Sequence, residues 1–450
     1  MSGGPEGLTA SARQEPLAVG NAAAAPVAVG IAAAPPVALY VHVPFCISIC
    51  PYCDFVVYAG AAARGPSNRI DAFLAALETE IDLRADALDA TFGRPGAPGL
   101  SGAVASGARP PLDTLYLGGG TPSLLPAEAI ARLVELVRRR FGLAGNAEVT
   151  LEANPGPDER GDAAALVRAG VGRLSIGAQS LDRAELRRLG RRHRPEDVGE
   201  AVAAARDAGI GSVSLDLLYD VPGGSLETWA ATLDAALALA PDHLSLYALT
   251  LDDPDAEGLT GPAGDHLPTT SGARRWRAAA RLDQDEDLAA TQYQHAVDRL
   301  ATSGWRGYEI SNWAHPGHES RHNLAYWLRR PYEAVGPGAH AFDGATRRWN
   351  AAPLDAYVAA LQPVDGGRPS IPRLPPGGAE TLDTATATAE SLVLGLRTDR
   401  GVPLAAREEA PLATAFDWAL DAGLLATTDD RIVLTTRGRL LSNELFSRLI

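Results

Sequence analysis

Cys46, Cys50 and Cys53 are the only cysteines in a chain of 450 residues, and all three fall in the stretch FCISICPYCDF. Thiolates spaced this way can converge from a short loop onto one face of a cubane iron–sulfur cluster. Such clusters usually take four protein ligands, so three leave one iron open to a small molecule. The same spacing admits a structural zinc site of the Cys3His kind, with His42 or a more distant histidine as fourth ligand. An odd, clustered set is not a disulfide framework. It speaks for metal or redox chemistry in a reducing compartment. Inert buried cysteines fit least well, because Pro44, Pro51 and the neighbouring aromatics read as a surface loop after a strand.

That loop needs elements to hold it. Short apolar runs at 37–43, 114–120, 148–154, 173–180, 212–221 and 243–249 read as buried strands. Segments with helical spacing lie between them, including Asp71 to Leu88 and Pro126 to Phe141. Strands alternating with helices imply βα units and a parallel sheet, and six such units can close part of a barrel. The Gly/Pro-rich stretch from Gly93 to Pro111 reads as an inserted loop. After 250 the texture changes: 252–282 reads as loop, Gln284 to Leu300 as helix and 307–314 as a strand. The end reads as helix (380–396), helix (411–424), strand (431–436) and helix (437–449), a small helical or winged-helix-like appendage.

The formal charge is −15 and the pI about 5.1. That balance argues against a general binder of phosphate backbones and suits a cytoplasmic protein. Residues 1–36 read as a disordered tail rich in Ala, Gly and Pro. Their uncharged stretch is broken by Pro26, Pro35 and Pro36, and no basic segment precedes it, so neither a membrane span nor a signal peptide is expected. The expected domains are this tail, a core over 37–250, a linking region over 251–375 and a C-terminal domain over 376–450.

The cysteines follow the first strand at its C-terminal end, where parallel sheets and barrels place their chemistry. Other polar groups share that rim. GGGTPS (118–123) follows the second strand, Glu152 and Asn154 end the third, Gln179 ends the fourth and Asp216 lies in the fifth. A run of three glycines offers N–H groups to an anionic ligand, or simply makes a tight strand-to-helix turn. Glu152 and Asp216 taken singly could be structural hydrogen-bonding partners. The set converging at one rim carries the functional reading.

With these residues in view, the sequence resembles the oxygen-independent coproporphyrinogen III oxidase-like family of radical S-adenosylmethionine proteins. The likeness runs from about residue 37 to the C-terminus. YVHVPFCISICPYCDF, LYLGGGTPSLL, LEANPG, RLSIGAQS, LYDVPGGS, YEISNWA, RHNLAYW, GPGAHAF and LTTRGRLLSNELF resemble family blocks in order. The resemblance implies a partial (β/α)6 barrel with a small C-terminal domain. It implies a [4Fe–4S] cluster on Cys46, Cys50 and Cys53, whose unique iron chelates S-adenosylmethionine, and an electron that releases a 5′-deoxyadenosyl radical. Tyr40, Gly119, Gly120, Thr121, Glu152, Gln179, Arg191 and Asp216 match the family's cofactor-binding positions. Glu152 and Asp216 suit hydroxyls or an ammonium, and Arg191 suits a carboxylate. The other arginines of RRLGRRHR (187–194) read as a solvated helix end.

Within the family, the oxidases carry a further cysteine two positions after the third, where Phe55 stands here. CPYCDF instead resembles the branch of heme chaperones of the HemW type, and HNLAYW matches that branch's heme-associated HNxxYW motif. The resemblance thus implies heme as a ligand and hemoproteins as recipients. It also implies an electron donor of the flavodoxin or ferredoxin kind and, by family analogy alone, a cluster-dependent homodimer; that no nucleic acid is a partner follows from the charge. His322 is the candidate iron ligand, with Tyr326 and Trp327 covering the porphyrin. A hydrogen-bonded structural role for His322 stays open, and His340 in GPGAHAF is its rival. Asp220 stands where many relatives have glycine. The alternatives are oxidative decarboxylation of coproporphyrinogen III and a zinc-bearing module using its C-terminal part on nucleic acid, against which the charge argues. The sequence leaves open whether cofactor cleavage is turned over or only gates heme transfer.

Overall fold

The computed structural model describes residues 31–59, 68–96, 108–365, 367–408, 412–428 and 430–450. Six strands follow the six apolar runs: β1 (Ala38–Val43), β2 (Leu112–Gly119), β3 (Leu143–Ala153), β4 (Arg173–Gln179), β5 (Ser212–Tyr219) and β6 (His243–Ala248). They pair in parallel in that order, with Tyr40 beside Tyr116 and Leu39 beside Leu115 in the β1–β2 register. Four of the six positions of β1 are buried hydrophobics, as expected of a strand covered on both faces. Helices fill the crossovers. Ala127–Arg140 buries Ile130, Leu133, Val134 and Val137 on one stripe, and its last turn carries Arg138, Arg139 and Arg140, favourable at a helix C-terminus.

The sheet does not stop at six strands. On the β6 side it adds β7 (Arg306–Gly307) and β8 (Asn312–Ala314). Beyond β1 it adds β9 (Tyr332–Val335), β10 (His340–Phe342), β11 (Thr346–Asn350) and β12 (Gly377–Thr381). The order is β7-β8-β6-β5-β4-β3-β2-β1-β9-β10-β11-β12, with β9 parallel to β1 and the remaining additions antiparallel. The partial barrel expected from the sequence is present, widened at both edges.

Several local expectations change. Residues 307–314 are two short antiparallel strands rather than one. The stretch 252–282 contains a helix, Ser271–Ala280, whose N-cap Thr270 accepts from the Ala273 N–H. The final helix is two, Thr436–Leu440 and Ser442–Leu449. Residues 1–30 of the expected tail lie outside the described residues, while at its end the Ala34 N–H donates to the Asp343 carbonyl at 2.8 Å. Residues 97–107 of the inserted loop also lie outside, and its flanks Arg94–Pro95 and Ala108–Arg109 pair in parallel. The C-terminal part packs around its own core of Leu392, Leu396, Phe416, Ile432 and Leu445. It combines helices with a small sheet of Val402–Pro403, Arg431–Leu434 and Leu425–Thr428. Among the described residues no helix is long and apolar enough to cross a membrane.

Candidate functional site

The strand ends meet around a cavity of about 670 Å3. Its wall includes Cys46, Cys50, Cys53, Gly119, Gly120, Thr121, Glu152, Asn154, Gln179, Arg191 and Asp216. These are the rim residues singled out from sequence, with one exception: Tyr40 lines a second cleft on the other side of the cysteine loop.

The loop after β1 presents three free, partly exposed thiols. Its turn is closed by the Cys53 N–H donating to the Cys50 carbonyl at 3.0 Å. The glycine run fastens the loop rather than offering donors to a ligand. Gly120 N–H donates to Val43 O (2.9 Å), Thr121 N–H to Phe45 O (2.7 Å) and Gly119 N–H to Glu152 Oε2 (2.8 Å). A Cβ at Gly120 would stand 2.7 Å from Phe45 O, and one at Gly119, whose φ is +106°, 2.3 Å from the His42 ring. Of the two readings of GGG, the tight turn is the one realised. Its N–H groups are spent inside the protein.

Behind the thiols, Thr121 Oγ1 donates to Cys46 Sγ and Arg191 Nη1 to Cys50 Sγ, each at 3.5 Å. Arg191 also donates to the Gly177 carbonyl at 2.8 Å and to Asn154, while its buried Nε has no partner among the described residues. An unpaired buried guanidinium nitrogen in a cavity wall is a group awaiting an acceptor. Among the arginines of 187–194 only Arg191 lines the cavity; Arg188 turns away to the Pro222 and Gly223 carbonyls. Burial pushes the Cys46 thiol up to about 11 and Cys53 higher still, which favours the protonated form of both.

The opposite wall carries the carboxyls. Glu152 accepts from the Tyr116 hydroxyl at 2.8 Å, and burial lifts its pKa to about 7 against that bond and the one from Gly119. Asp216 accepts from Ser175 Oγ at 3.0 Å, and burial raises its pKa too. Gln179 sits at a bulge where the β4–β5 register shifts, with φ +65°, which turns the end of the strand toward the cavity. Asp220, with φ +58°, has the left-handed backbone that glycine adopts freely and aspartate tolerates. Its exchange with glycine is a backbone matter, and its side chain accepts from Gln284 at 3.0 Å outside the cavity wall.

Sequence reading missed Arg277. This buried arginine donates to the Pro51 carbonyl (3.1 Å), to the Cys53 carbonyl (2.9 Å) and to Asp252, tying down the cysteine loop. No local pattern marks it, since its partners are backbone oxygens, and the two in the cysteine loop lie more than 200 positions away in the chain.

The histidines separate cleanly. His42 contacts the Val56 carbonyl through Nε2 (2.8 Å) and the Tyr40 hydroxyl through Nδ1 (3.0 Å), and burial lowers its pKa to about 4. With both nitrogens engaged, His42 is not placed as a fourth ligand beside the cysteines. Among the described residues no three His, Cys, Asp or Glu side chains gather to hold a single metal ion; the thiols line the cavity wall instead. His322 is 1% exposed, with Nδ1 on Thr114 Oγ1 (2.8 Å), Nε2 on the Tyr326 hydroxyl (2.7 Å) and its ring stacked on Tyr116. Here it fills the structural role left open above. Trp327 packs under the Arg397 guanidinium of the C-terminal part, 4.4 Å from its centre. His340 keeps an exposed side chain, bonded through Nε2 to Asp265 at 2.8 Å.

This fold and site define a radical S-adenosylmethionine protein: the superfamily model matches residues 102–236, and a HemN C-terminal domain matches 382–441. The fold is also that of the coproporphyrinogen III oxidase HemN from Escherichia coli, with a TM-score of 0.71 at 23% identity, covering 94% of this chain and 91% of that one. The heme chaperone HemW of Mycobacterium tuberculosis is 38% identical over 92% of this chain and 94% of its own. That of Bacillus subtilis is 30% identical over 91% and 98%. The chain belongs to the HemW family.

The cavity fits the cofactors that the superfamily implies. Three thiols on one loop leave room for a cluster, and the unpaired Arg191 Nε together with two carboxyls suits a zwitterionic, hydroxyl-bearing molecule such as S-adenosylmethionine.

Proposed function

We propose that this protein is a heme chaperone, which binds heme and hands it to recipient hemoproteins. Membership in the HemW family carries the reading, supported by the absence of a fourth cysteine at Phe55. In the assigned roles, Cys46, Cys50 and Cys53 hold a [4Fe–4S] cluster, and Arg191 with Glu152, Asp216 and Gln179 receives S-adenosylmethionine, with Gly119, Gly120 and Thr121 as the cavity wall it lies against. When bound, such a pair supplies one-electron reduction of the sulfonium, with a flavodoxin- or ferredoxin-like donor as the source of the electron.

The chain's own residues have three tasks here. Arg191 and Thr121 donate to the sulfurs of Cys50 and Cys46, and at Cys46 the Thr121 bond opposes the burial that favours the thiol. Glu152 and Asp216 accept hydrogen bonds, Glu152 at full strength once ionised. The C-terminal part closes the far side, where Arg397, Ser442 and Asn443 complete the cavity wall and limit entry of water. A cytoplasmic setting and a homodimer belong to the same proposal.

The test is an anaerobic heme titration of the cluster-reconstituted full chain, followed by the Soret band. Saturable, near-stoichiometric binding is expected. Absence of binding, with turnover of coproporphyrinogen III instead, overturns the reading.

A further inference from the structure

We propose that the heme seat is the second cleft and that His266 is its iron ligand, an assignment that rests on the chaperone reading above. The cleft has a volume of about 340 Å3, at the low end of small-molecule sites, and lies between β1, the strands β9 and β10, and the end of the cysteine loop. Tyr40, Phe55, Tyr326 and Tyr332 supply flat aromatic wall, the surface on which a porphyrin stacks. Phe55 is 62% exposed, a large apolar ring left in water beside the only loop that carries thiols.

The ligand assignment follows from hydrogen bonding. Asp265 bridges two histidines of the cleft: Oδ1 to His266 Nδ1 at 3.0 Å, and Oδ2 to His340 Nε2 at 2.8 Å. A carboxylate only accepts, so each of those nitrogens carries the proton. His266 therefore keeps its lone pair on Nε2, which has no hydrogen-bond partner among the described residues. An imidazole that donates one N–H to a carboxylate and offers the other nitrogen is the usual setting of a metal-bound histidine. His340 likewise donates one N–H to Asp265, but the nitrogen it leaves is Nδ1, next to its own backbone, and its ring stacks on Trp349 with centres 6.0 Å apart, so it acts as wall and positioning residue. His322 cannot reach the same metal without giving up Thr114 or Tyr326 and leaving full burial. Of the HNLAYW motif, Tyr326 alone lines the cleft.

The placement also suits a carrier. Asp54 and Phe55 line both the cleft and the cofactor cavity, so ligand in one touches the loop that shapes the other. An open cleft leaves a porphyrin edge in solvent for a recipient to grasp.

The experiment uses the cluster-reconstituted full chain, titrated anaerobically with hemin, with cluster content read as acid-labile sulfide. His266→Ala should weaken heme binding at least tenfold at unchanged sulfide content. His266→Cys should restore binding with a Soret maximum shifted to that of thiolate ligation. If wild type binds and both variants match it, the site is wrong and the chaperone reading stands. Loss of binding confined to His322→Ala, at full sulfide content, likewise overturns the assignment. Wild-type protein that binds no heme overturns the chaperone reading itself.

Discussion

Around the thiols, charge and burial oppose each other. Burial holds Cys46 and Cys53 protonated, while Arg191 and Thr121 donate to the sulfurs of Cys50 and Cys46. Loading a cluster must release those protons, which couples assembly to pH. Cys50→Ser should abolish the cluster and leave the chain folded; a retained, reducible iron–sulfur signal in that variant would remove Cys50 from the ligand set. Glu152 gives a second pH response. Its carboxyl titrates at about 7, raised chiefly by burial, so only above that pH is it a full-strength acceptor for an ammonium or hydroxyl. Affinity for S-adenosylmethionine should rise up to roughly tenfold per pH unit below 7, then level off. Glu152→Gln should flatten that profile, and equilibrium dialysis across the range checks it. For folding the sign is opposite. A carboxyl whose pKa is raised from 4.5 to about 7 contributes stability that is complete below 4.5 and lost as pH rises through 7.

At the scale of elements, the cysteine loop is gripped from three sides: by the glycine turn after β2, by Gly190, where a Cβ would stand 2.9 Å from Pro51, and by Arg277. Hydrogen bonds to a charged group are worth about 1.5–3 kcal/mol each. Arg277→Ala should thus leave the barrel folded but loosen the loop, speeding loss of acid-labile sulfide in air several-fold. Equal loss rates for variant and wild type would show that the glycine clamp suffices. The six parallel strands and the two longest crossover helices were legible because long buried runs and 3.6-residue spacing survive without tertiary context. The helix Ser271–Ala280 was not, because loop-forming residues surround it. Strands β9 to β12 are three to five residues long and form by pairing with β1 and one another, so no local period announces them, and β7 and β8 showed only as a single strand over 307–314.

Across the whole molecule, RHNLAYW works as a junction. His322 packs into the barrel, Tyr326 reaches the second cleft, and Trp327 meets Arg397 of the C-terminal part. One short helix, Arg321–Trp327, thereby joins the barrel, the second cleft and the C-terminal part. Trp327→Ala should weaken that junction by roughly 1–3 kcal/mol. Limited proteolysis should then release the C-terminal part at protease levels that spare the wild type; unchanged cleavage would show that Arg397 docks by other contacts.

From the sequence alone came the three thiols, the six βα units and the rim positions of Glu152, Gln179 and Asp216, because each is written in local spacing or strand-end position. Motif order, through the family likeness, added Arg191. Tertiary structure decided what the glycine N–H groups bind, that Tyr40 stands outside the main cavity, and that both nitrogens of His322 are engaged. It alone brought Arg277 to the loop and His266, Asp265 and His340 together. Those outcomes depend on which distant atoms share a hydrogen bond, and a chain read one window at a time does not contain that information.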